Sequence, residues 1–282
     1  MLYPDNLGEK LSIDETSLSH GELYTIVTNK TAKGKKGAIV AIVAATKAKT
    51  VIAVLHRIPE RARKKVKEIT LDMAGNMELI CKRCFPEATR VTDRFHVQKL
   101  ATEALQEMRI KHRWAALDAE NEAIEQSRKN GTSFQQETLE NGDTIKQLLA
   151  RSRYVLYKNS SNWTESQKTR AELLFERYPD LKTAYGLSMS LSQIFNNTKD
   201  KIFGLANLAR WHEKVRQTGF KAFNTTSRSI QNHYETILNY FDNRSTNASA
   251  ESFNAKTKAF RTLFRGVKNV EFFLYRLTQL YA

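Results

Sequence analysis

Three carboxylates, Asp14, Asp72 and Glu251, carry the residue types and spacing that could do chemistry. Asp14 ends the first β-rich run, and Asp72 closes a later run ending Leu71-Asp72. Strand ends are where a sheet presents side chains to a ligand. Two aspartates gathered there repel each other unless cations lie between them. Two Mg²⁺ (or Mn²⁺) ions about 4 Å apart would activate an attacking oxygen and stabilise a leaving one in phosphoryl transfer. A third acidic ligand is usually wanted, and Glu251 is the candidate. It heads the segment NASAESFNAKTKAFRTLFRG, which reads as an amphipathic helix ended by Gly266. Its apolar stripe is Phe253, Thr257, Phe260 and Phe264; its other face carries Glu251, Asn254, Lys258, Arg261 and Arg265. One carboxylate heading a basic, amide-bearing face suits a helix that gives one ligand to a metal and lays cations along a phosphate backbone. Each acid also has an ordinary reading. An Asp at a strand end can be a turn or cap residue, Asp14-Glu15 can be solvated, and Glu251 can be favoured by the helix macrodipole.

The elements that must position these residues divide the chain. From Lys10 to about Arg57 the runs LSIDETS, ELYTIVTN, GAIVAIVAA and TVIAVLH read as β-rich, with turns at 30–37 and 44–50, and give an antiparallel meander of at least three strands. Pro59 opens a basic helix, PERARKKVKEI. A helix over 73–84 is stopped by Phe85-Pro86, and ATRVTDRF forms a further β-like run reaching Asp93. Residues 10–96 therefore read as three strands, helix, strand, helix, strand. From Val97 to Tyr240 helix formers dominate, with breaks near 130–133 and 159–162; a turn-rich break at 240–247 precedes a last pair of helices. The expected division is 1–96, 97–240 and 241–282.

Composition bounds the partners. Lys and Arg total 45 against 30 Asp and Glu, a net charge of +15. Such a surface attracts polyanions, nucleic acid first and an anionic membrane surface second. No apolar run is long enough to span a bilayer, and the N-terminal residues do not read as a signal peptide. The two cysteines fit a reducing compartment. Cys81 and Cys84 form a CxxC with His96 at a zinc-like distance, but they lie on an expected helix where small apolar residues pack. The basic run 61–67 and Arg109, Lys111, His112 and Arg113 are either solvated helix faces or phosphate contacts. Trp114, Trp163 and Trp211 read as core or interface anchors before base-stacking platforms.

IDETSLSHGELYTIV, LDMAGNMELICKRCFPEATRVTDRFHVQKL and NASAESFNAKTKAFRTLFRGVKNVEFFLYRL resemble bacterial insertion-sequence transposases of the ISL-three group, over nearly the whole chain. The most specific piece runs from Asp72 to Val97. The resemblance implies the DDE class: an α/β, ribonuclease-H-like mixed sheet core with a large, mostly helical insertion between the second Asp and the Glu. It implies Asp14, Asp72 and Glu251 as metal ligands, two Mg²⁺ or Mn²⁺ ions, and DNA cleavage and strand transfer at transposon ends. Asp93 and His96 match a DxxH element following the second aspartate, supporting the active site or contacting DNA near the cut. Asn254, Lys258, Arg261 and Arg265 are the expected DNA-binding residues. Both ends must be held together, so a dimer or larger assembly on DNA is expected, in the bacterial cytoplasm with the nucleoid. An inactive or domesticated DNA-binding protein and a nuclease without strand transfer are the competing readings. The group usually carries a zinc-binding and helix-turn-helix region before the first Asp. Only 13 residues precede Asp14 here, so a separate DNA-binding subunit is the expectation.

Overall fold

A computed structural model describes residues 1–19, 22–263 and 269–282. It divides into two compact units, one formed by Met1–Val97 with His233–Ala282, the other by Gln98–Asn232. The first unit is α/β. Its strands are β1 (Lys10–Ser19), β2 (Glu22–Asn29), β3 (Ile39–Val43), β4 (Glu68–Leu71) and β5 (Thr89–Thr92), in the sheet order β3-β2-β1-β4-β5. The first three form the expected antiparallel meander, and Gly34 and Gly37 supply the left-handed turns between β2 and β3, with φ of 67° and 83°. β4 and β5 are parallel to β1, so the sheet is mixed and compatible with a ribonuclease-H-like core.

Parallel pairing requires crossovers, and helices supply them. They are α1 (Ala48–Leu55), the single turn α2 (Glu60–Arg63) and α3 (Gly75–Cys84). Two expectations are corrected here. TVIAVLH is helical: Ala48, Val51 and Leu55 are buried at helical spacing, which overrides the β-branched composition. The basic helix after Pro59 is one turn long, because Glu68 and Ile69 pair into the sheet beside Lys10 and Leu11.

Alternation along each strand separates two faces. Leu11 and Ile13 of β1, Val27 of β2, and Ile69 and Leu71 of β4 pack with α1 and α3 into one apolar core. The opposite face is split. Over β2 and β3 it is apolar: Tyr24, Ile26, Ile39 and Ile42 meet Phe253 of α12 (Ala248–Leu263) and Phe273, Leu274 and Leu277 of α13 (Val270–Tyr281). Over β1, β4 and β5 it is polar and buried: Ser12, Glu68, Thr70 and Thr92. Residues 236–247 hydrogen-bond to it, through Thr236 to Thr92, Asn243 and Ser245 to Glu68, and Asn247 to Ser12.

The second unit is helical. It contains most of α4 (Arg94–Lys129), which begins in the first unit, then α5 (Ile145–Tyr157), α6 (Glu165–Arg177), α7 (Pro179–Asn197), α8 (Lys201–Thr218) and α9 (Lys221–Asn232). The break expected at 130–133 extends to Thr144, whose side chain and that of Gln147 form a capping box for α5. The chain returns to the first unit through the short α10 (Tyr234–Leu238) and α11 (Tyr240–Asn243). No helix among the described residues is long and apolar enough to cross a membrane.

Candidate active site

Strand register lines up the acidic residues. β1 pairs with β4 as Lys10 with Glu68, Leu11 with Ile69 and Ser12 with Thr70, which brings Asp14 level with Asp72. β4 pairs with β5 up to Leu71 with Thr92, which brings Asp72 level with Asp93, whose N–H donates to the Leu71 carbonyl at 3.0 Å. Neighbouring strands lie about 4.8 Å apart, so three aspartates form a row across the ends of the parallel pairings. Asp14 is not at the end of its strand, as expected, but in its middle: β1 runs on to Ser19 against β2. What ends just before Asp14 is the pairing with β4: its last pair is Ser12 with Thr70, and β4 stops at Leu71.

Local hydrogen bonds fix each carboxylate. Asp14 Oδ1 accepts from the Glu15 N–H at 2.9 Å, and Asp72 Oδ1 accepts from the Ala74 N–H at 2.9 Å. Asp93 caps α4: its Oδ1 accepts from the Phe95 N–H at 3.3 Å, while its Oδ2 is buried without a hydrogen-bond partner. His96 follows in the first turn of α4.

Helix α12 brings Glu251 to this row. Its apolar side, led by fully buried Phe253, seats it on β2 and β3. Asn247 precedes it and accepts a hydrogen bond from Ser12; Asn254 Nδ2 donates to Asp14 Oδ2 at 2.7 Å. Residues 247, 251 and 254 share one helical face, so two asparagines pinned to β1 flank Glu251.

The charges sense one another. Burial pushes the Asp14 carboxyl above its ordinary value, with Asp72 adding to the rise, while His96, the Glu15 N–H and Asn254 oppose it. Partial desolvation raises Glu251, with Asp93 and Asp14 adding and His96 opposing. Burial also raises Glu15, followed by the charges of Asp72 and Asp14. Asp14, Asp72, Asp93, Glu251 and His96 thus share one neighbourhood. Among the described residues, however, no three His, Cys, Asp or Glu side chains gather tightly enough to hold a metal ion.

The other expected residues divide. Lys258 is exposed. Arg261 lies four residues beyond buried Thr257 and so at the edge of the apolar side; its guanidinium sits 5.0 Å from the Phe273 ring centroid, with Nη1 buried. Arg265, with Phe264 and Gly266, falls outside the described residues. Cys81 and Cys84 are free and buried in the core beneath the sheet. Sequence reading missed Asn247, Ser12, Lys30 and Glu68. Lys30 Nζ reaches Glu68 at 3.3 Å, Thr70 at 2.8 Å and Ser245, binding the 243–247 segment to β4. The available signal was alternation: Ser12 and Thr70 sit between apolar neighbours, at positions facing inward.

The fold and the row of acids define a class, and comparison agrees. The chain belongs to the DDE transposase family of the ISL3 group, described as "Transposase", which matches residues 11–277. It is similar to the transposase for insertion sequence element IS1001 of Bordetella parapertussis, 22% identical over 271 residues, covering 95% of this chain and 60% of that protein. It is also similar to the transposase for IS1557 of Mycobacterium tuberculosis (strain CDC 1551 / Oshkosh), 27% identical over 193 residues, covering 68% of this chain and 42% of that protein. The chain therefore spans about three fifths or less of these relatives.

Proposed function

We propose that this chain is the catalytic region of a DNA transposase, with Asp14, Asp72 and Glu251 as its working carboxylates. One observation carries the reading: strand register sets Asp14 beside Asp72, and Asn254 ties the helix bearing Glu251 to Asp14. The donor set, carboxylate oxygens alone, fits hard divalent cations such as Mg²⁺ or Mn²⁺. Two further facts fit the same group: mutually repelling acids are drawn together, and Asp93 keeps a buried oxygen without a partner. Asp14 and Asp72 would hold the cations and Glu251 would complete the set. Bound there, such ions lower the pKa of an attacking water and offset charge on the phosphate. The residues of this chain orient that chemistry. Backbone N–H groups fix one oxygen of each aspartate, Asn254 keeps Asp14 facing α12, and His96 offsets part of the negative charge. Exposed Lys258, one helical face along from Glu251, would meet DNA phosphates. Two DNA ends must be joined in one assembly, so the working form is an oligomer on DNA.

The test is nicking of supercoiled plasmid DNA with Mn²⁺ or Mg²⁺. Wild-type chain is expected to nick, and Asp14→Asn and Glu251→Gln to lose roughly a hundredfold or more. Nicking that survives either substitution would remove that residue from the catalytic set.

A further inference from the structure

In the helical unit, α4 and α5 are bridged by a cation that, among the described residues, meets no carboxylate. Arg109 is buried; its Nη1 donates to the Leu149 carbonyl at 2.8 Å and its Nε to Gln106 at 2.6 Å. The charged groups acting on it are Arg113, Arg153 and the Tyr157 phenol, with no acid among them. Burial, followed by those two guanidiniums, holds Arg109 below its ordinary value. Three arginines are thus drawn together against their own repulsion, which makes the surface above them an anion site in search of a charge partner.

Two aromatic rings line the α5 side of this surface: Tyr154 is 66% exposed and Tyr157 48%. Helical spacing puts 153, 154 and 157 on one face of α5. The Arg153 guanidinium lies 5.8 Å from the Tyr154 ring centroid. Large rings left in water beside guanidiniums that, among the described residues, meet no carboxylate are unusual for a solvated helix face, which favours mixed charges and short polar residues.

We propose that this patch binds an unpaired DNA strand, its phosphates on Arg113 and Arg153 and its bases stacked on Tyr154 and Tyr157. Charge complementarity selects a polyanion. The exposed rings select one whose base faces are free, because stacking in a duplex hides them. The inference rests on the reading that the chain acts on DNA. It adds a strand-holding surface in a part of the chain that contributes none of the catalytic carboxylates.

The test titrates the full chain into labelled oligo(dT) and into a duplex of equal length, followed by anisotropy of the label. Oligo(dT) is expected to bind more tightly than the duplex. Tyr154→Ser with Tyr157→Ser should weaken it by about tenfold or more without changing the melting temperature. Arg113→Gln with Arg153→Gln should weaken it and flatten its salt dependence by about one to two ions. Asp72→Asn should keep this affinity while losing nicking, which separates the patch from the catalytic reading. Equal affinity for duplex, or oligo(dT) binding indifferent to the tyrosine pair, would overturn the patch and leave the nicking result standing.

Discussion

Asn254 of α12 donates a 2.7 Å hydrogen bond to Asp14 of β1, 240 residues away in sequence. This contact joins α12 to the first strand at the point where β1 leaves β4. We propose Asn254 as a positioning residue for Asp14, beside the DNA contact expected of it from the sequence. Hydrogen bonds to charged groups contribute about 1.5–3 kcal/mol. Asn254→Leu is therefore expected to cost about that much in denaturant unfolding and to lower Mn²⁺ affinity and nicking by about tenfold or more. Equal losses of DNA affinity and none of cation affinity would return Asn254 to a DNA-contacting role.

The buried pair Lys30–Glu68 holds the segment that leads into α12. Burial works against the Glu68 charge, but the Ser245 hydroxyl and Lys30 outweigh it and hold the carboxyl below its ordinary value. Removing one partner of a buried pair leaves an uncompensated charge. Lys30→Met should cost about 3 kcal/mol in denaturant unfolding, and adding Glu68→Met should restore part of that loss. Additive losses in the double variant would contradict the pairing.

Asp143 organises the helical unit by accepting from Arg170 at 2.9 Å and from Arg151. Burial pushes its carboxyl up, yet the two arginines outweigh this and hold it below the ordinary value. A depressed folded pKa stabilises the fold above the unfolded carboxylate value, about 3.9, and the contribution is lost as pH falls through the folded value. The stability gap between wild type and Asp143→Asn should be widest near neutrality and close below about pH 4. A gap independent of pH would contradict this.

Cys81 and Cys84 offer a test of the core beneath the sheet. Burial raises both thiols, Cys84 to about 11 and Cys81 further. The thiolate is the reactive form, so native protein should resist a thiol reagent at neutral pH and react fully in denaturant. Rapid labelling of the native chain would place these residues outside the core.

Much of the first unit was legible in the sequence because β1, β2 and β3 are rich in β-branched and aliphatic residues and carry their own turn residues. The segment 50–56 was misread because Thr50, Val51, Ile52 and Val54 favour strands in isolation, and only packing on α3 reveals the helical period. At the site, residue types pointed to Asp14, Asp72 and Glu251, but register did not: that Asp14 lies level with Asp72 depends on which strands pair. Asn247 and Asn254 were harder still. An asparagine on a helix reads as a surface residue until the strand it bonds to is known. Arg261 shows the converse limit, since a helical wheel places it at a boundary and the Phe273 ring decides the side.

The central proposal is that Asp14, Asp72 and Glu251 close on a shared cation when it binds, and Mn²⁺ titration followed by electron paramagnetic resonance tests it most directly. Wild-type chain is predicted to bind Mn²⁺ with loss of the free-ion signal, and Asp14→Asn, Asp72→Asn and Glu251→Gln each to weaken binding by about tenfold or more while melting at the wild-type temperature. Undiminished Mn²⁺ binding in the Asp72→Asn and Glu251→Gln variants would contradict the claim.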